Sequence, residues 1–210
     1  MLDLARIRNA PVRLEPYPYF MVEGAIKATE APRVAADFPD IDRPGAISVD
    51  DTEFGPAFAN LLEELRGEAF RRLIADKLDV DLDGRDIVVN VRGQMRLTDG
   101  NIHTDTPSKL VTVLVYFNKP GKTDRTSLRI LKNGNDIDDF VEEISPRLGN
   151  MVAFKVTPDC WHGHNAVPGK RLSLQLNYLS GVKTRGKHQL AHRLVGRMKR
   201  KVTHLLERAG

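Results

Sequence analysis

Apolar and polar residues recur with two different periods along this chain, and the change of period divides it. From Glu53 to Leu78, the residues Phe58, Leu61, Leu62, Leu65, Phe70, Leu73, Ile74 and Leu78 return every three or four positions or close to it, the spacing of helices that bury one face. Gly67 falls inside that run and predicts either a break into two helices or a close helix crossing. An earlier helix is expected from about Ala25 to Asp37, stopped by Pro39, whose ring cannot continue one. Residues 11 to 20 are too proline-rich for a helix and read as an extended lead-in. Residues 40 to 52 read as loop, with Pro44-Gly45 as the turn.

From Asp86 the period shortens. Strands are expected at Ile87–Arg92, Lys109–Phe117, Ser127–Leu131, Asn150–Val156 and Arg171–Leu179, separated by turn-rich stretches such as Asn118-Lys119-Pro120-Gly121 and Asn133-Gly134-Asn135. The acidic stretch Asp136 to Glu143 reads as loop or short helix. Helices first and short antiparallel strands after predict an α+β chain. Helical spacing returns in Leu190, Leu194, Met198, Val202, Leu205 and Leu206. The expected organisation is thus one domain over residues 1–182, helical over 1–80 and a strand-built core over 86–180, followed by a C-terminal basic amphipathic helix over 183–210.

Composition (41% hydrophobic, 29% charged) suits one globular domain with appended helices. The formal charge of +4 is unevenly placed: residues 183–210 hold nine Lys/Arg and one Glu, which leaves the rest net acidic. A basic tail on an acidic body argues against a nucleic-acid-binding core. The tail is expected to pack over the core with a solvated basic face, and His188 and His192 belong to that face. No apolar run is long enough to span a bilayer, and the opening residues lack the pattern of a secretory signal. Cys160 is the single cysteine, so no internal disulfide forms. Together these favour a cytoplasmic protein.

Candidate chemistry centres on His103-Thr104-Asp105, with a second histidine at His162 or His164 and an arginine at Arg171. In an extended segment, residues two apart point the same way, so His103 and Asp105 reach one ion together. Two imidazoles and a carboxylate are a ligand set for Fe(II) with an open face. The ordinary alternative is a strand-end histidine capped by a carboxylate. His162 and His164 also lie two apart, so spacing alone leaves both open as the third ligand. Arg171-Leu172-Ser173-Leu174-Gln175-Leu176-Asn177 alternates, with one face polar and one leucine. That polar face is either solvated or turned to a dicarboxylate, which a guanidinium binds bidentately. Arg92, Gln94 and Arg96 alternate in the same way, and fit an anionic or polar substrate as well as a solvent-facing edge. Arg129 reads as an outer-face residue and Trp161 as packing.

Residues 86–179 resemble the catalytic barrel of Fe(II)/2-oxoglutarate-dependent oxygenases, in the prolyl-hydroxylase-like branch. The matching pieces are His103-Thr104-Asp105, Leu114-Val115-Tyr116-Phe117-Asn118, Leu128-Arg129-Ile130, Pro146 to Phe154, Trp161-His162-Gly163 and Lys170-Arg171-Leu172-Ser173. The resemblance implies a double-stranded β-helix (jelly-roll, cupin-like) core. It implies Fe(2+) on His103, Asp105 and His162, since the family's nine-residue gap to the arginine selects His162. It further implies 2-oxoglutarate with its distal carboxylate on Arg171, helped by Tyr116 and Ser173, with O2 as oxidant and ascorbate as an accessory reductant. A carboxylate at Asp105 implies hydroxylation rather than halogenation. The expected activity is hydroxylation of an unactivated C–H of a small molecule, with 2-oxoglutarate decarboxylated to succinate. A protein hydroxylase of prolyl type is the runner-up, and a non-catalytic metal-binding or partner-binding barrel is the rival from another class. The family usually carries Gly-Gly where Thr126-Ser127 stands here, which alters the turn at the mouth of the site.

Overall fold

A computed structural model describes residues 1–119 and 126–182; the expected basic helix at 183–210 lies outside the described residues. Among the described residues, four helices, α1 (Leu4–Asn9), α2 (Ala31–Ala36), α3 (Pro56–Arg66) and α4 (Glu68–Leu78), accompany nine strands. The strands are β1 (Tyr19–Val22), β2 (Ile47–Ser48), β3 (Arg85–Met95), β4 (Lys109–Tyr116), β5 (Leu128–Leu131), β6 (Phe140–Ile144), β7 (Met151–Lys155), β8 (His162–Gly163) and β9 (Gly169–Val182). They form a six-stranded sheet in the order β1-β7-β4-β9-β3-β2 and a three-stranded sheet in the order β6-β5-β8, antiparallel throughout. This is the α+β, double-stranded β-helix arrangement.

The large sheet is buried on both faces, which explains why β4 and β7 read as apolar runs rather than a clean alternation. One face carries Val111, Val113, Val115, Ala153, Leu174, Leu176 and Tyr178 against Phe58, Leu61, Leu65, Leu73 and Ile74 of α3 and α4. Each such side chain contributes about 1.5–3 kcal/mol by leaving water, so the helices make a stiff backing for the sheet. The other face looks toward the small sheet, where Tyr116, Val152 and Phe154 meet Leu128, Ile130, Ile144 and Cys160. Within that second layer, at its open end, lies the site.

Three local expectations need correction. The helix expected over Ala25–Asp37 is only Ala31–Ala36. Ile26 pairs with Leu2, and Lys27 N–H donates to the Met1 carbonyl at 3.0 Å, so this stretch is extended against the chain's start. Pro32 then sits in the helix's first turn, where its missing N–H costs nothing. The acidic stretch Asp136–Glu143 is neither loop nor helix throughout, since Phe140 onward forms β6. It is an edge strand with mostly exposed residues, held by Arg129 paired to Glu143 directly opposite and to Asp138. Strand β2 and a short 3-10 turn (Val49–Asp51) interrupt the stretch expected as loop. The break at Gly67 is real: it ends α3 and begins α4.

Candidate active site

His103 and His162 are built into the site as one rung of a ladder. His103 N–H donates to the His162 carbonyl and His162 N–H to the His103 carbonyl, both at 3.0 Å. Residues that exchange both bonds stand directly opposite, with side chains on one side, and the two rings lie 4.3 Å apart between centroids. Asp105, two residues along from His103, completes the group. Ligand atoms of His103, Asp105 and His162 all lie within 4.8 Å of one another, close enough to share a single ion. His164 is outside this group and forms part of the adjoining cavity wall.

Each donor is oriented by a second contact. The Nδ1 of His103 is 2.8 Å from the Asn101 carbonyl, and that of His162 is 2.7 Å from the Cys160 carbonyl. A carbonyl only accepts, so each Nδ1 carries the proton and each Nε2 keeps its lone pair. Burial pushes the His162 imidazole down to about 4, with the His103 ring adding to the effect, so it is neutral across the physiological range. The Asp105 carboxylate is buried (8% exposed). Lys109 Nζ donates to its Oδ1 at 2.7 Å, and the buried Thr112 hydroxyl donates to its Oδ2. Burial alone would raise this carboxyl. The hydrogen bonds from Lys109 and Thr112, with the charges of Lys109 and His162, hold it below the ordinary carboxylate range.

A cavity of about 300 Å³ opens beside the triad, lined by His103 and His162 and by Arg171, Ser173, Arg92 and His164 among others. The alternation of β9 places Arg171, Ser173 and Gln175 on the cavity side, while Leu174, Leu176 and Tyr178 join the helix-backed core. The polar face of this strand is therefore interior. Arg171 is buried (7% exposed) and lies over the Tyr116 ring at 5.1 Å. Its Nη2 and Nε donate to the Thr126 carbonyl at 3.2 and 3.3 Å, and Nε also reaches the Thr126 hydroxyl at 3.3 Å. Burial raises the Tyr116 phenol, and the adjacent Arg171 guanidinium partly offsets this by its charge and its nearness to the phenol oxygen; no partner among the described residues meets hydrogen-bonding geometry with that hydroxyl. A buried hydroxyl in that state is costly unless a ligand satisfies it. His164 is pushed down to about 4, by burial first and by Arg171 second.

The structure thus brings His103, Asp105, His162, Arg171, Tyr116 and Ser173 to one place. Arg129 faces outward on the small sheet, paired with Glu143 and Asp138, and Trp161 packs across Gly134. His188 and His192 lie outside the described residues. Sequence reasoning missed Thr126 and Thr112. The departure from Gly-Gly at Thr126 was visible, but its grip on Arg171 is a tertiary contact. Thr112 stands in an apolar run, and a lone threonine there is an ordinary strand residue. Gly100 adopts φ +89°, and a Cβ on it would fall 2.3 Å from the His164 ring.

Residues 94–179, which hold the whole constellation except Arg92, match a family model described as the 2OG-Fe(II) oxygenase superfamily. No curated protein matches the chain. Among solved structures, a prolyl-4-hydroxylase from Pseudomonas putida aligns over 84% of this chain and 97% of its own, with 16% identity and a TM-score of 0.58. A viral collagen prolyl hydroxylase from Paramecium Bursaria Chlorella virus-1 aligns over 82% and 96%, with 14% identity and a TM-score of 0.53. A Trichoplax adhaerens prolyl hydroxylase, solved with a hypoxia inducible factor oxygen degradation domain peptide, aligns over 84% and 88%, with 15% identity and a TM-score of 0.51. At these identities the likeness is one of fold.

Proposed function

We propose that this chain is a 2OG-Fe(II) oxygenase, the superfamily whose model matches residues 94–179, and that it hydroxylates an unactivated C–H of a small molecule. Iron and 2-oxoglutarate supply the oxidising power when bound: O2 is consumed, 2-oxoglutarate becomes succinate and CO2, and the substrate carbon gains a hydroxyl. The residues suit those groups. His103 and His162 offer Nε2 lone pairs, and Asp105 offers a carboxylate that can accept from Lys109 and Thr112 and still meet a cation, since it has about four lone-pair sites. They are assigned as the iron ligands. Arg171 is assigned to the distal carboxylate of 2-oxoglutarate, with Ser173 beside it and the unsatisfied Tyr116 hydroxyl as a further donor.

What the chain itself does is positioning. Asn101 and Cys160 carbonyls hold both imidazoles in one tautomer and orientation. Lys109 and Thr112 keep the Asp105 carboxylate charged and aimed. Thr126 and the Tyr116 ring fix the Arg171 fork in place before any ligand arrives, so little rotamer freedom is lost on binding. The small-molecule reading rests on the cavity, whose volume of about 300 Å³ lies at the low end for small-ligand pockets.

The observation that carries the proposal is the convergence of the His103-Asp105-His162 group and Arg171 on that one cavity. The test is anaerobic titration with Fe(II) and 2-oxoglutarate, following the weak visible band of the chelate. The band should form, vanish in Asp105→Ala, and require about tenfold or more additional 2-oxoglutarate in Arg171→Gln, as expected for a lost charge-assisted pair. A wild-type protein that binds metal yet gives no band refutes the oxygenase reading and leaves a metal-binding barrel. Turnover stimulated by prolyl peptides but by no free small molecule would replace the substrate with a protein.

A further inference from the structure

The cavity holds a second guanidinium that the cosubstrate does not require. Arg92 of β3 stands opposite Ser173 of β9, and Ser173 stands opposite Tyr116 of β4. Residues directly opposite share a face, so these three form one row on the cavity side. Arg92, Gln94, Ser173 and Gln175 all line the cavity. Of the alternating triplet Arg92, Gln94 and Arg96, the first two are therefore interior. Arg96 is exposed and turns to Asp99, which accepts from its backbone N–H at 2.7 Å and its Nη2 at 3.2 Å.

Arg92 has no such partner. It is half-buried, and among the described residues no hydrogen bond or ion pair engages its guanidinium. Burial lowers it from the ordinary arginine range, with Arg171 and Arg96 acting in the same direction and Asp99 opposing. Asp99 also lines the cavity, but its carboxylate is held by Arg96. A guanidinium stays charged and presents a planar fork of donors. Kept partly from water, with its nearest counter-charge, Asp99, bonded to Arg96 instead, it is costly, and an oxyanion that enters beside it relieves that cost.

We infer that Arg92 binds a carboxylate of the substrate, so the cavity takes a small free acid alongside 2-oxoglutarate. This rests on the oxygenase reading above, with Arg171 committed to the cosubstrate. Gln94 and Gln175 supply neutral hydrogen-bonding groups on the same wall. A free acid fits better than a residue within a peptide, because peptide linkage removes the α-carboxylate that Arg92 would hold.

The experiment uses free amino and hydroxy acids, each paired with its primary amide, added anaerobically to protein holding Fe(II) and 2-oxoglutarate. Binding is read as a shift of the visible band, and coupling as acid-stimulated 2-oxoglutarate consumption in air. At least one acid should bind and stimulate, about tenfold or more tightly than its amide, the size expected for a charge-assisted contact. Arg92→Gln should erase the acid-over-amide preference while leaving the 2-oxoglutarate dissociation constant within about twofold, and Arg92→Lys should keep part of the preference. The inference is overturned if amides match acids, or if no acid of the panel shifts a band that does form. It is also overturned if Arg92→Gln weakens 2-oxoglutarate tenfold, which would place Arg92 in the cosubstrate clamp. Absence of the band in the wild type is a different failure, since it removes the oxygenase reading beneath.

Discussion

Replacing Thr112 by valine removes one hydroxyl and keeps the shape of the side chain. The consequence follows from where that hydroxyl points. Thr112 is almost fully buried (1% exposed), and its hydroxyl donates to Oδ2 of Asp105, itself buried. Valine leaves that carboxylate with Lys109 alone. A hydrogen bond to a charged group contributes about 1.5–3 kcal/mol, and each 1.4 kcal/mol is a factor of ten in binding. Fe(II) affinity should therefore fall about 10- to 100-fold, which agrees with the range found when the oriented partner of a metal ligand is lost. The pH dependence should move too. The hydrogen bonds hold the Asp105 carboxyl below its ordinary value, so its protonation does not compete with metal at neutral pH, and on acidification it adds to the competition from His162, which takes up its proton near 4. Without Thr112 the loss of metal must come at a higher pH. Equilibrium metal titration of both proteins between pH 3 and 8, with folding checked by circular dichroism at each pH, measures both effects. Equal affinity in a folded variant, with the acid limb unmoved, would refute the claim that Thr112 orients the ligand.

Three further outcomes are expected. His162→Ala should lose Fe(II) while His164→Ala keeps it; metal loss only in the latter would reverse the assignment made from the His103–His162 rung. In the metal-free protein His162 is lowered from 6.5 to about 4, so the unfolded chain binds more protons between those values and stability is lost as pH falls through that window. The shift corresponds to roughly 3 kcal/mol, and denaturant midpoints across pH 4–7 should show a shallower dependence in a folded His162→Gln. Gly100→Ala should lower the melting temperature, since it places a side chain at φ +89° and into the His164 ring at a cost of about 1–3 kcal/mol; an unchanged melting temperature would show that the turn relaxes freely.

How much of this was legible depends on whether a feature is local. His103 and Asp105 could be paired from the sequence because extended chain repeats its direction every second residue. The polar face of Arg171-Ser173-Gln175 was visible as alternation, but not which side of the sheet it met; the helices α3 and α4 claim the leucine face. The choice between His162 and His164 could not be made from spacing, as both are equivalent in extended chain. The reciprocal backbone bonds to His103 separate them, and register between strands so far apart in sequence is not written in either segment. The same holds for Arg92, whose place in the cavity comes from standing opposite Ser173. Strand β6 was missed because an edge strand exposed over most of its length, with only Ile144 buried, has no apolar period to read. Half of the expected α2 was lost to the pairing of Ile26 with Leu2 at the chain's start.

The rung that joins His103 to His162 also orders events in time. During synthesis His103 and Asp105 emerge together, and their partner histidine follows only after the strands between them have been made. A nascent or interrupted chain offers two ligands with no third, so metal loading awaits closure of the ladder. Once closed, the site would hold an ion that the unfolded chain does not, and so would stabilise the fold by mass action. Iron supply would then tune how long the protein survives as well as whether it works.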